Sequence, residues 1–316
     1  MYESKIKTKR FMLRVAIWAL AVLVVCLICY CIPGLFQALT PTYTAQYDTM
    51  RQSSTQECYL VKDEQIVYSD HTGTASYTYG EGEYVRKLLQ VCTVNNNPYT
   101  TPQSGTVTYT VDGLEAYFVG ENIPNITKSE VKSLGTDRQQ LGTDQVNRGD
   151  PLFKVVDDKQ WFLIFWVGQD ESAKYTQGKS VEVVIDKENK IKAVIDAIYE
   201  QDKEHMIVLR TNDYYPGLAC NRVLDAEIVT VNETGIIIEQ GSIATRDGQE
   251  GVYVKKVDGD YKFVRIKAHS IVDDKAIVAN GSFTETDEDG NVKVVDTINL
   301  YDEILRNPKN KDKGGD

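Results

Sequence analysis

Residues 73–79 read GTASYTY and residues 105–111 read GTVTYTV. In the first copy Ala75, Tyr77 and Tyr79 fall on one side of an extended chain and small hydroxyl residues on the other; Val107, Tyr109 and Val111 do the same in the second. Period-two alternation is what a half-buried strand requires, so both copies are expected as strands. A second pair of segments follows them: EYVRKLLQVCTV (83–94) and QVNRGDPLFKVV (145–156). Each opens on a Val, passes through a turn-forming or basic stretch and closes on an apolar strand. The repeated unit is therefore strand, turn, strand, present twice.

The second copy holds an insertion, 112–144. Thr127-Lys-Ser-Glu130 has capping-box spacing, with Val131 and Leu134 behind it and Gly135 to stop it, which predicts one short helix. The remainder of the insertion is expected as loop. From Trp161 the chain turns into a series of strands: WFLIFWV, VEVVI and IKAVIDAI about a polar turn, and MIVLR, then EIVTV, GIIIEQ, GVYVKKV, YKFVRIKA and KAIVANG. The unbroken apolar run 161–167 calls for a strand covered on both faces or closing a barrel. Asp258-Gly259 is expected as a two-residue hairpin turn. The spacing is that of small β-barrels.

Apolar residues run without a charge from Val15 to Ile32, enough at 1.5 Å per residue to nearly cross a hydrocarbon core, and Pro33-Gly34 ends them. Lys5, Lys7, Lys9, Arg10 and Arg14 precede this span and the first positive residue after it is Arg51, which orients the N-terminus to the cytoplasm. The competing reading is a cleaved signal peptide, but the run is long and bulky, with no small-x-small site before Pro33. The expected division is a basic cytoplasmic tail (1–14), a single-pass transmembrane helix (15–34), a Thr-rich stalk (35–56), a repeat domain (57–159), a β-barrel (160–220), a membrane-proximal β domain (221–305) and a charged tail (306–316). The chain carries -11 overall, and because residues 1–32 are net +4 the rest is net -15, a poor nucleic-acid binder.

Catalytic chemistry finds no purchase in the sequence. His71, His205 and His269 are isolated and none lies at metal-ligand spacing. The pairs Asp63-Glu64 and Asp273-Asp274 read as solvated carboxylates, and TETDEDGN (284–291) lacks the pattern of a calcium loop, Asp289-Gly290 reading as a turn. No catalytic, cofactor-binding or metal-ligating residue is expected. Tyr77, Tyr79 and Tyr109 are expected to fill a small core, an aromatic ligand surface being the alternative. Cys58, Cys92 and Cys220 lie beyond the span, an odd number without C-x-x-C spacing, with a Cys58 to Cys92 bridge left open.

The two half-motifs resemble the halves of a biotinyl/lipoyl-type barrel-sandwich hybrid. They are VKDEQIVYSDHTGTASYTYGEGEYVRKLLQV on one side, and SGTVTYTVDGLE with VNRGDPLFKVVDDKQWFLI on the other. With GVYVKKVDGDYKFVRIKA as a membrane-proximal signature, residues 57 to 305 are similar to the HlyD-type periplasmic adaptors, or membrane fusion proteins. The resemblance implies a mainly β fold: the transmembrane helix, a lipoyl-like barrel-sandwich hybrid and small β-barrel domains. It also implies a non-enzymatic adaptor for an efflux or export transporter, held at the cell membrane with its C-terminal domains outside and several copies around the pump. In most such adaptors a long helical hairpin separates the halves, whereas here only NNNPYTTPQ (95–103) joins them, and two prolines leave no room for a helix. That departure supports the alternative, an envelope or division-associated scaffold without a transport role. The same nine residues hold no lysine, which removes the covalent arm of a lipoyl or biotinyl carrier.

Overall fold

A computed structural model describes Trp18, Leu20 and Val22, which are helical and exposed, and residues 41–308 except 136, 137, 187 and 287–289. The span 15–34, the tail 1–14 and residues 309–316 lie outside the described residues apart from those three. No helix among the described residues is long and apolar enough to cross a membrane. The chain divides into two compact units, 51–232 and the combination of 1–50 with 233–316.

The first element is a short strand, β1 (Thr42–Thr44), followed by a 16-residue strand, β2 (Gln46–Val61). Residues 42–56, expected as part of an aperiodic stalk, are thus mostly extended. The correction has a physical reason: QYDTMRQSSTQ carries no apolar alternation, but it is rich in Thr and other residues that tolerate a strand when neighbours supply the pairing.

The repeat domain contains β3 (Glu64–Tyr68), β4 (Gly73–Tyr77), β5 (Tyr84–Val85), β6 (Gln90–Val94), β7 (Asn97–Thr100), β8 (Gly105–Thr108), β9 (Thr110–Val111), β10 (Gln139–Gln140), β11 (Gln145–Val146) and β12 (Pro151–Val156). Two four-stranded antiparallel sheets result, in the orders β11-β4-β6-β7 and β3-β12-β8-β5. The pairings are symmetric to the residue. Thr74 faces Gln145 as Thr106 faces Tyr84; Ser76 faces Thr93 as Thr108 faces Lys154. Each half thus lends two strands to the sheet built on the other half, so the strand-turn-strand unit read twice in the sequence is an interlocked pseudo-twofold sandwich. Its core holds Val91, Cys92, Val94, Val107, Tyr109, Leu152, Phe153 and Val155, with Tyr77 and Tyr79 packed against them. Gly73 and Gly105 begin equivalent strands, and each is required by close approach. A Cβ on Gly73 would come within 2.0 Å of the Asn95 side chain, and one on Gly105 within 2.1 Å of the Val156 carbonyl.

The linker 95–103 is not a loop. Asn95 and Asn96 adopt left-handed φ of 49° and 68°, making a two-residue hairpin turn, and the chain re-enters the sheet at once as β7. Pro98 is accommodated because β7 is an edge strand.

The second part of this unit is a closed barrel. It uses β13 (Trp161–Gly168), β14 (Ser180–Ile185), β15 (Asn189–Gln201), β16 (Glu204–Thr211) and the first part of β17 (Val223–Glu239), and is completed by the end of β2. The cycle runs β14-β15-β16-β13-β2-β17 and returns to β14, where Glu182 to Ile185 face Val229 to Ala226. The expected division at 220/221 therefore falls one strand early, because sheet membership follows pairing and not the local pattern of EIVTV. Trp161, Leu163, Phe165 and Val167 point into the barrel. Ile164 and Trp166 point outward, where the insertion covers them with Leu114, Phe118, Ile123, Ile126 and Val131. The run 161–167 is apolar throughout because it closes a barrel and is also covered outside.

Within the insertion the expected helix is present as α1 (Lys128–Leu134): the Thr127 hydroxyl accepts from the Glu130 amide, and Gly135 ends the helix at φ 69°. The rest is not simple loop, since a 3-10 helix (Gly120–Asn125) places Ile123 on the barrel. A four-residue helix, α2 (Gln169–Ser172), follows β13.

The other unit contains β18 (Ala244–Arg246), β19 (Gln249–Lys255), β20 (Tyr261–Arg265), β21 (Ala268–Val272), β22 (Lys275–Val278), β23 (Ser282–Thr286), β24 (Val292–Asp296) and β25 (Glu303–Leu305). One sheet has the order β1-β25-β19-β18 with β20 also on β19; the end of β17 pairs β22, and β23 pairs β24. Ala45, Ile236, Ile238, Val252, Ala276, Val278, Ile298 and Ile304 form its core. Asp258-Gly259 is not a two-residue turn. Lys256 and Asp260 still pair across a three-residue loop, with Gly259 at φ 89°, the geometry of a bulged hairpin.

Candidate functional site at the hybrid–barrel junction

Six charged side chains converge where the sandwich meets the barrel. Lys62 follows β2, Glu64 opens β3, Lys154 lies on β12, Asp112 and Glu115 open the insertion, and Arg222 precedes β17. Glu64 is fully buried at their centre. Lys154 Nζ lies 2.8 Å and Lys62 Nζ 3.4 Å from its Oε1, and Arg222 donates to its Oε2. Arg222 reaches Asp112 through Nε at 2.8 Å and donates to the Leu60 carbonyl at 3.1 Å. Lys154 reaches Glu115 at 3.2 Å. Lys62 also donates to the carbonyls of Leu218, Ala219 at 3.3 Å and Asn221 at 2.9 Å. The Arg222 guanidinium stands 5.2 Å from the centre of the Phe118 ring, tying the network to the apolar cover of the barrel.

Three cations face three carboxylates, so the charges balance locally. Burial pushes the Lys62 ammonium down to about 8, against the pull of Glu64. For Glu64 burial acts upward, but the surrounding Lys62, Arg222 and Lys154 outweigh it and hold the carboxyl below its ordinary value. Asp112 is likewise lowered, burial being outweighed by Arg222. The geometry suits a clamp: every cation is already occupied by carboxylates or carbonyls, and removing one partner of such a set strands a buried charge at a cost of about 3–5 kcal/mol.

Beside the clamp, Tyr77 and Tyr109 meet edge to face at 5.2 Å, and Tyr109 donates to the Tyr79 carbonyl at 2.6 Å. They fill the core as expected and also line a cavity of about 340 Å³ with Glu81, Leu141 and Cys220. The Cys220 thiol donates to Glu81 at 3.2 Å, and burial followed by this carboxylate raises its pKa. Cys58, Cys92 and Cys220 are free thiols. The Cys58 to Cys92 bridge is absent because the two lie in separate cores, one in the barrel and one in the sandwich.

The structure revises the reading of Asp63-Glu64. Asp63 is exposed as expected, but Glu64, on the opposite face of the strand, is the centre of the network. Its burial was legible in part, since Lys62, Glu64 and Lys154 are charges set in apolar strands; Arg222 carries no local signal. Asp273-Asp274 forms the exposed turn of the β21–β22 hairpin. Asp289 lies outside the described residues, while Glu285 before it pairs with Arg265. His71 contacts Asp70 at 2.5 Å and the Tyr99 hydroxyl at 3.0 Å, His269 is exposed, and His205 stands apart on β16. No group of three or more His, Cys, Asp or Glu suited to a metal occurs among the described residues.

The two domains that meet at this junction have counterparts. Residues 64–157 match the family description "RND related, barrel-sandwich hybrid domain", and residues 161–232 match "RND related, beta-barrel domain". The chain belongs to this RND-related family. The hybrid and barrel so defined are the interlocked sandwich and the closed six-stranded barrel described above, and they match the HlyD-type adaptor make-up without a long helical hairpin. No curated protein matches the sequence. Among solved structures, ZneB from Cupriavidus metallidurans is similar at 10% identity and TM-score 0.31, over 84% of this chain and 92% of that one. MacA from Actinobacillus actinomycetemcomitans is similar at 10% identity and TM-score 0.35, over 84% and 99%. The membrane fusion protein Spr0693 from Streptococcus pneumoniae R6 is similar at 9% identity and TM-score 0.31, over 56% and 98%.

Proposed function

We propose that the RND-related chain is a non-enzymatic, membrane-anchored adaptor that assists an efflux or export transporter. The observation that carries the reading is the junction itself: an RND-related hybrid and barrel locked together by a balanced buried charge network, with its cations already engaged. Such an arrangement transmits position and offers little to a substrate. The apolar run 15–32 with its basic flank supports an N-terminal anchor, cytoplasmic on the short side, with residues from about 35 onward extracytoplasmic. The net charge of that larger part, -15, speaks against nucleic acid as a partner. The Asn95-Asn96 turn, standing where most such adaptors carry a helical hairpin, favours a shortened adaptor or, as a second reading, an envelope scaffold.

Crosslinking of the full-length chain in native membranes, followed by mass spectrometry of co-purifying proteins, tests this. Recovery of a transporter's membrane subunits is the expected result. Recovery of wall-synthesis or division proteins without any transporter would overturn it in favour of the scaffold.

A further inference from the structure

Beside the clamp lies a cavity of about 420 Å³, within the range of about 300–1,000 Å³ usual for small-molecule sites. Its walls come from both ends of the insertion, at Asp112 to Glu115 and at Arg138, and from Ile66 and Pro151 on the neighbouring strands β3 and β12.

Two opposite charges on these walls are left unspent. Glu115 is only 6% exposed, yet its carboxylate is half used: Oε1 accepts both from the Asp112 amide at 3.0 Å and from Lys154 at 3.2 Å, and no described residue donates to Oε2. Asp112, on the same wall, shows the contrast. Both of its oxygens are engaged, by Arg222 at 2.8 and 3.2 Å and by the Leu114 amide at 2.9 Å. Arg138 is the converse of Glu115: exposed, in one long contact of 3.4 Å to Asn221 Oδ1, and in no ion pair among the described residues. A buried carboxylate oxygen without a donor is costly, and native structures rarely leave one empty.

We propose that this cavity binds the zwitterion of an apolar α-amino acid. The ammonium donates to Glu115 Oε2, the carboxylate accepts from Arg138, and the side chain packs on Ile66, Val111 and Pro151, beside Tyr68, which is 54% exposed. Charge selects this ligand class. The clamp is already balanced, three cations against three carboxylates, so a ligand of no net charge leaves the balance intact while giving Glu115 and Arg138 the partners they lack. A simple cation would leave Arg138 unanswered, and a simple anion would meet the Glu115 carboxylate. Such a ligand also bridges the two ends of the insertion, which no ion pair of the chain joins among the described residues. The site needs no transporter and stands or falls independently of the adaptor reading.

Titration calorimetry on the full-length chain in detergent tests it with L-leucine and L-phenylalanine. Each is compared with its amide, which lacks the carboxylate, and with its N-acetyl form, which lacks the ammonium. Binding of at least one of the two amino acids is expected, with its amide and its N-acetyl form each weaker by about tenfold or more, since each forfeits a charge-assisted contact. Arg138→Met is expected to abolish the preference for the amino acid over its amide while leaving the melting temperature of the unliganded chain unchanged, because Arg138 is exposed and outside the clamp. No heat with either amino acid at millimolar concentration, an amide or N-acetyl form that binds as tightly as its parent, or an Arg138→Met chain that keeps the preference, would each overturn the proposal.

Discussion

The two halves of the hybrid share a register residue by residue but differ in what they carry. The first half, 64–94, is short; its turn shows Leu88 to solvent, and on β6 it has Thr93 where the second half has Lys154. The second half holds the insertion, which supplies Asp112 and Glu115 to the junction and Phe118 and Ile123 to the outer wall of the barrel. Symmetry thus builds the scaffold, and the departure from it in the second half marks the contact with the barrel.

The departures on the barrel side are expected to carry the most free energy. Arg222→Met strands Glu64 and Asp112 and should cost about 3–5 kcal/mol in urea unfolding followed by tryptophan fluorescence. A loss below 1 kcal/mol would show that the network is not buried in solution. Phe118→Ala removes the ring shared by the clamp and the barrel cover, at about 3–5 kcal/mol. Hydrogen exchange in 112–134 should rise with it, whereas unchanged exchange there would deny the insertion its covering role.

The paired glycines sharpen the comparison further. In Gly105→Ala the new methyl meets a backbone carbonyl that cannot move aside, so the expected cost is about 1–3 kcal/mol. In Gly73→Ala it meets the end of the Asn95 side chain, which can rotate, so the cost should be smaller, about 1 kcal/mol. Thermal melts of the two variants compare the halves directly; the reverse order would contradict the pairing register.

The clamp also sets a pH dependence with two windows. Glu64 and Asp112 are lowered in the folded chain from 4.5 and 3.8, so the stability they contribute is present above those values and is lost as pH falls through the lower folded ones. Lys62, depressed from 10.5 to about 8, binds its proton more readily in the unfolded chain, so its contribution rises with pH between 8 and 10.5. Urea midpoints across pH for the wild type and Lys62→Met should differ in slope in the alkaline window; parallel curves would remove Lys62 from the network. The smallest effect belongs to Leu88→Gly, expected within about 1 kcal/mol of wild type because relief of its left-handed φ of 65° offsets the added chain entropy.

Much of the fold was legible because it is local. Alternation in GTASYTY and GTVTYTV gave the strands and their inward faces, and Thr127 with Glu130 gave the helix. What escaped depends on partners far away in sequence. QYDTMRQSSTQ becomes strand through pairing, EIVTV joins the barrel by facing Glu182 to Ile185, and Arg222 meets Glu64 across 158 residues. Glu64 was misread for the same reason: strand alternation separates it from Asp63, but only the assembled junction supplies the cations that let it be buried. Leu88 was invisible until Gly149, at φ 92° on the equivalent turn between β11 and β12, appeared as its structural mate.

The central claim is that the charge network fixes the hybrid on the barrel as one working body. Spin labels introduced through non-natural residues at Asn96, on the hybrid turn, and at Glu188, on the β14–β15 turn, allow it to be measured by pulsed dipolar spectroscopy. A single narrow distance distribution in the wild type that broadens in Arg222→Met is the predicted result. A broad distribution in the wild type, or one unchanged by the substitution, would contradict the account.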